Sequence, residues 1–198
     1  MNSKPLNLTI MKKIFALLLL TIFALPFVKA QENVFAVGDK VVNLGIGFGS
    51  IGYSAFGYKT TVPPISISFE KGIKDGILDK GVLSIGGYLA YSANKWESTW
   101  AGGSYGWKYT NIYLGARGVL HYPLVDKIDT YAGVLLGYHI SSVHEIGTTT
   151  GYVDPYSGGG LIFGGYVGGR YYFTDKLAAM GELGYGITWI TIGVSIKL

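Results

Sequence analysis

The placement of charge in residues 168–186, GGRYYFTDKLAAMGELGYG, constrains this chain more than any other feature. Two period-two arms flank Thr174-Asp175-Lys176, a short polar turn. In the first arm Tyr171 and Phe173 share one face, and Arg170 and Tyr172 share the other. In the second, Leu177, Ala179, Gly181, Leu183 and Tyr185 alternate with Ala178, Met180, Glu182 and Gly184. Each arm keeps one charged residue on a face of small or polar residues and gives its other face to apolar and aromatic side chains. A soluble sheet buries its apolar face. A strand in a transmembrane barrel turns that face to lipid and its polar face to a narrow lumen.

This pattern also sets a register. A shift of one residue would move every side chain to the opposite face. Arg170 and Glu182 both face inward only if the turn between Phe173 and Leu177 has an odd number of residues, and three fits. An even-numbered turn would put one charge into lipid, at about 2–4 kcal/mol for an Arg at the midplane. With three turn residues, Arg170 lies opposite Met180 and diagonal to Glu182, within reach of it.

The rest of the chain repeats the motif. Alternation predicts strands at residues 40–50, 65–71, 82–92, 108–122 and 129–141, then the two arms of the hairpin, then 190–198. Residues 51–64, 93–107 and 142–160 are expected as long loops, and 72–81 and 123–128 as turns at the opposite end. A very short turn over 187–189 leads into the last strand. Long and short connections on opposite sides are a property of outer-membrane barrels. The apolar faces carry aromatics at both ends. Phe48, Tyr91, Tyr138, Phe163 and Tyr185 fall toward one rim, and Phe69, Tyr122, Tyr171 and Phe173 toward the other, as two aromatic girdles. An even strand count lets the last strand pair with the first and removes the open edge. The expected fold is therefore all-β, an eight-stranded antiparallel up-and-down transmembrane barrel. It occupies residues 31–198.

Residues 1–30 read as a cleavable signal peptide. Met11-Lys12-Lys13 forms a basic n-region, residues 14–25 an apolar stretch too short to span a bilayer, and Val28-Lys29-Ala30 a small-residue cleavage site. Translation is expected to start at Met11. Removing the signal changes the charge argument. The chain has 16 Lys+Arg and 12 Asp+Glu, and Lys4, Lys12, Lys13 and Lys29 all lie within the signal, leaving 12 against 12. The sequence pI of about 9.0 thus belongs to the signal and implies no nucleic-acid partner. There is no cysteine, which excludes a lipid anchor at the cleavage site.

The mature chain resembles the small eight-stranded outer-membrane barrels of Gram-negative bacteria, the OmpA/OmpX/opacity-protein type. The resemblance rests on Arg170-Tyr171-Tyr172-Phe173-Thr174-Asp175, Glu182-Leu183-Gly184-Tyr185-Gly186 and the alternating C-terminal strand. It implies residence in the outer membrane, contact with membrane lipid and lipopolysaccharide, and delivery by the barrel-assembly machinery through the last strand. That family usually ends in Phe, where this chain has Leu198. No cofactor is implied.

The candidate site residues fall into two groups. Glu70, Arg117, Arg170 and Glu182 face inward, with Lys197 at the periplasmic end. An eight-stranded barrel has an interior just wide enough for side chains to fill it, so these charges should pair into a structural plug. A small-solute pore is the alternative. The second group is the aromatic set Trp96, Trp100, Trp107, Tyr152 and Tyr156, expected in outer loops, where such residues can anchor an extracellular ligand or pack over the mouth. His139, Ser141 and Glu145 resemble part of the signature of lipid A deacylases, making a lipid A-modifying enzyme a rival reading. A soluble lipocalin-like barrel is another, and the shared polar face of Arg117, Arg170 and Glu182 contradicts it. Two glycine motifs lack the context their chemistry needs. Gly47–Gly52 matches a dinucleotide fingerprint with no helix after it, and Gly102–Gly106 matches a nucleophile elbow in a predicted loop. The expected function is a non-enzymatic envelope protein with a structural or surface-interaction role.

Overall fold

The computed structural model describes residues 34–50, 57–148 and 157–198. The chain divides into Met1–Gln31, outside the described residues, and Glu32–Leu198, which forms the barrel. Eight strands run β1 Lys40–Ser50, β2 Tyr58–Ile77, β3 Gly81–Trp100, β4 Gly103–Val125, β5 Ile128–Gly147, β6 Gly158–Tyr172, β7 Leu177–Tyr185 and β8 Thr188–Lys197. Each pairs antiparallel with its sequence neighbours, and β8 pairs with β1 from Val41↔Lys197 to Ser50↔Thr188. The sheet is closed, so no row of backbone donors and acceptors meets lipid.

The alternation seen in the sequence is the alternation of burial. Val41, Asn43, Gly45 and Gly47 of β1 are buried, while Leu44, Ile46 and Phe48 are exposed. The girdle aromatics Phe48, Phe69, Tyr91, Tyr138, Phe163, Tyr171, Phe173 and Tyr185 all lie exposed on the outer wall. The hairpin register also holds. Arg170 pairs with Met180, and Phe173 N–H donates to Leu177 O at 2.9 Å across the three residues 174–176.

The strands are longer than alternation alone suggests. Residues 93–107, expected as a loop, instead continue β3 and β4 as a paired ribbon that closes at Ala101-Gly102. Trp96 sits directly opposite Trp107, their ring centroids 5.3 Å apart, and Tyr105 meets Trp107 edge-on at 4.8 Å. Cross-strand aromatic pairs of this kind stabilise a ribbon beyond the bilayer. Residues 72–77, expected as a turn, stay in β2, with register shifts around Gly72, Lys74 and Ile77. The turn itself is Leu78-Asp79-Lys80. The last hairpin turns at Gly186-Ile187 rather than at 187–189. Gly186 has φ of 128° there, and a Cβ on it would come within 2.7 Å of Gly164 Cα.

Ahead of β1, residues 34–39 fold under the periplasmic end. Gly38 N–H donates to Gly72 O at 3.0 Å and Gly72 N–H to Asp39 O at 2.9 Å. Lys197 Nζ reaches Asp39 Oδ2 at 2.6 Å and Val34 O at 3.1 Å. This clasp sets Phe35 into the lumen against Val41 and Val82.

Candidate functional site

The lumen holds two layers of polar contact. The lower one centres on Arg170, whose side chain is 0% exposed. Its register partner on β5 is Asp129, and Arg170 Nη1 donates to Asp129 Oδ2 at 2.8 Å. Its Nη2 donates to Glu70 Oε1. Glu70 stands on β2, four strands from β6 in a ring of eight, so this ion pair joins opposite walls. His121 and Ser84 complete a circuit. His121 Nδ1 faces Asp129 Oδ1 at 2.8 Å, His121 Nε2 meets Ser84 Oγ at 3.0 Å, and Ser84 Oγ donates to Glu70 Oε2 at 3.4 Å. Phe35 stacks on the His121 ring at 3.8 Å and lids the circuit from below.

The upper layer is built on Arg117 of β4. Its Nη2 donates to Glu182 Oε1 at 2.6 Å, its Nε to Tyr166 OH at 2.6 Å and its Nη1 to Ser68 Oγ at 3.1 Å. Asn43 Nδ2 donates to Ser68 Oγ at 3.0 Å, and Ser195 Oγ donates to Asn43 Oδ1 at 2.6 Å. The guanidinium also lies over the Tyr166 ring, 4.1 Å from its centroid. Between them the two layers take a side chain from every strand. Buried charges need such partners, because each unpaired one costs several kcal/mol.

The structure redistributes the pairing expected from sequence. Arg170 and Glu182, diagonal neighbours on β6 and β7, do not meet. Tyr131 separates them. It is the register partner of Gly168, which is in turn the partner of Glu182. A Cβ on Gly168 would lie 2.8 Å from the Tyr131 ring, so only glycine leaves room for the ring to cross β6. Tyr131 OH then donates to Glu182 Oε1 at 2.9 Å, while its ring face receives Arg170 at 4.4 Å. Arg170 is left to Asp129 and Glu70, and Glu182 to Arg117. The inner-face glycines thus make room for tyrosine rings as well as shortening the radius.

Sequence reasoning placed Glu70, Arg117, Arg170 and Glu182 in one lumen but did not single out Asp129, His121, Ser84 or Phe35. Asp129 was readable, since it has the inward parity of Tyr131 and Gly133. Phe35 was not, because it precedes the alternating pattern. Lys197 faces the clasp. Among the described residues no group of three or more His, Cys, Asp and Glu could hold a metal ion. Arg170 occupies the space between Glu70 and Asp129 that a cation would need.

The other candidates come together less well. His139 Nε2 bonds Asn111 Oδ1 at 2.8 Å, and its ring stacks on Tyr113 at 4.7 Å. Glu145 is six residues further along β5, about 20 Å at ~3.4 Å per residue, so it does not orient His139. Trp96 and Trp107 lie on paired strands and face each other rather than standing in a loop, while Trp100 is half exposed near the tip of the ribbon. Tyr152 and Tyr156 lie outside the described residues. Above the Arg117–Glu182 pair, a cavity of 40 Å³ is bounded by Tyr88, Tyr166, Thr188 and Thr191. That is room for about one water molecule.

No family model matches this chain, and no curated protein is similar enough to match it. Among solved structures it is similar to the outer membrane protein OprG from Pseudomonas aeruginosa, at 10% identity over 83% of this chain and 97% of that one, with a TM-score of 0.52. The fold is that of an outer-membrane β-barrel. The barrel is also similar to the N-terminal β-barrel domain of Pseudomonas aeruginosa OprF, at 12% identity over 82% of this chain and 98% of that one, TM-score 0.45. A third similarity is to Ail, the attachment invasion locus protein of Yersinia pestis, at 8% identity, 82% and 96% coverage and TM-score 0.43.

Proposed function

We propose that this barrel is a non-enzymatic structural protein of the outer membrane, plugged through its lumen, that engages lipopolysaccharide and extracellular partners with its outer end. The observation that carries the reading is the pair of ionic layers, one of which joins opposite walls through Glu70 and Arg170, with a cavity of just 40 Å³ above the Arg117–Glu182 pair. A solute path would require both layers to separate. Cleavage of residues 1–30 and assembly through β8 belong to the same proposal.

The outer surface supports the second half of the reading. Lys59, Lys95, Lys108 and His144 are successive register partners across β2, β3, β4 and β5. They share the outward face. On β3, β4 and β5 they stand four residues beyond Tyr91, Ile112 and Ile140, exposed side chains of the outer wall. Glu97 balances Lys95 alone, at 3.2 Å. Three lysines at this height suit phosphorylated lipid headgroups of the outer leaflet. Trp100, at the tip of the ribbon, is half exposed and open to an external partner.

Planar-bilayer recording tests the plug. The wild-type barrel and Glu182→Ala are both expected to show no stable open-channel steps. The variant should nevertheless lose resistance to heat in a gel-shift assay, because Arg117 is left buried with only neutral partners. A large, steady conductance in either protein would remove the plugged reading.

A further inference from the structure

We propose that the periplasmic half of the outer wall carries a site for one anionic phospholipid, its headgroup on Lys40, Lys71 and Lys74 and one acyl chain in an adjoining groove. Lys40 and Lys71 are direct register partners on β1 and β2. Both belong to the outward face, two residues beyond Val42 and Phe69 respectively, and Ile73 follows Lys71 on the wall. Lys74 joins them beyond the register shift that follows Gly72, as the partner of Leu83. All three are exposed, and no described carboxylate lies within ion-pair distance of any of them. Like charges placed directly opposite on a sheet destabilise it unless an anion lies between them. At the level of a leaflet interface, the available anion is a lipid phosphate.

The groove supplies the second half of the site. It has a volume of 780 Å³ and opens on the lipid-facing wall beside Lys71. Its floor is low because Ala116 and Gly118 of β4 present almost no side chain there. Phe69, Ile85, Val134 and Leu136 stand around that floor. Lys71 itself lines one end, so the cationic patch and the apolar channel are continuous. In a bilayer this surface faces hydrocarbon, and its occupant is an acyl chain. Charge complementarity at the lysine end selects an anionic headgroup over a zwitterionic one.

The test is native mass spectrometry of the refolded barrel in detergent, titrated with palmitoyl-oleoyl phosphatidylglycerol or the matching phosphatidylcholine. One phosphatidylglycerol should be retained with a preference of at least about fivefold, the effect of a single well-placed lysine on an anionic headgroup. Lys40→Gln/Lys71→Gln/Lys74→Gln should bring that preference close to one. Ala116→Phe, which fills the groove from the lipid side, should weaken retention of both lipids while keeping the preference. Lys59→Gln/Lys95→Gln/Lys108→Gln, at the other rim, should lower lipopolysaccharide retention and leave the phosphatidylglycerol preference unchanged. Equal retention of the two lipids by the wild type overturns the site, and so does an undiminished preference in the periplasmic variant. Equal retention by the wild type overturns the site even if no variant refolds.

Discussion

Replacing Arg170 with methionine is expected to lower the stability of the folded barrel by about 3–5 kcal/mol, the cost of breaking a buried ion pair from one side. Arg170 is fully buried and is the cation shared by Glu70 and Asp129. Without it two carboxylates stay in the lumen, facing each other and His121. The midpoint of urea unfolding in phospholipid vesicles measures the loss. Changing the whole group to Arg170→Met/Glu70→Gln/Asp129→Asn should recover much of it, because removing every charge also removes the desolvation penalty. A loss below about 1 kcal/mol for the single variant, the size of an exposed pair, would show that the layer is wet and loosely held.

Phe35→Ala is expected to be nearly as damaging, at about 3–5 kcal/mol for truncating a buried aromatic that leaves a cavity. Phe35 is 2% exposed, stacked on His121 and packed on Val41 and Val82. The effect should be local before it is global. Residues 34–39 are tied to the barrel by the Gly38–Gly72 and Gly72–Asp39 backbone bonds and by Lys197. Hydrogen exchange at the Gly38 and Gly72 amides should therefore quicken in the variant while amides in the middle of β4 and β5 stay protected. Unchanged exchange at Gly38 and Gly72 would mean that the clasp holds without its aromatic anchor.

Much of the fold was legible because a membrane barrel obeys a strict two-residue period. An inward charge has no low-cost alternative to the lumen, so Arg170 and Glu182 alone determined the phase of β6 and β7 and the length of their turn. The partners of those charges were not legible. Partner choice depends on which side chain lies between two neighbours, and Tyr131 crossing Gly168 is a fact of three strands rather than one. The ribbon of residues 93–107 departs from the alternation for a related reason. Beyond the bilayer the outward face no longer needs to be apolar, so Lys95, Glu97 and Lys108 erase the alternation while the backbone pairing of Trp96 with Trp107 continues. The outer basic row was hidden in the same way. Lys59, Lys95, Lys108 and His144 are far apart in sequence and become neighbours only through the register.

Which side of the wall each residue of β7 faces bears most directly on the account. The chain has no native cysteine, so a single cysteine can be placed at each of residues 177–185 and spin-labelled in reconstituted barrels. Accessibility to oxygen dissolved in the lipid should alternate with a period of two, high at Leu177, Ala179, Gly181, Leu183 and Tyr185 and low at Ala178, Met180, Glu182 and Gly184. An alternation of the opposite phase, or none, would contradict a lumen held shut by Arg170, Glu182 and their partners.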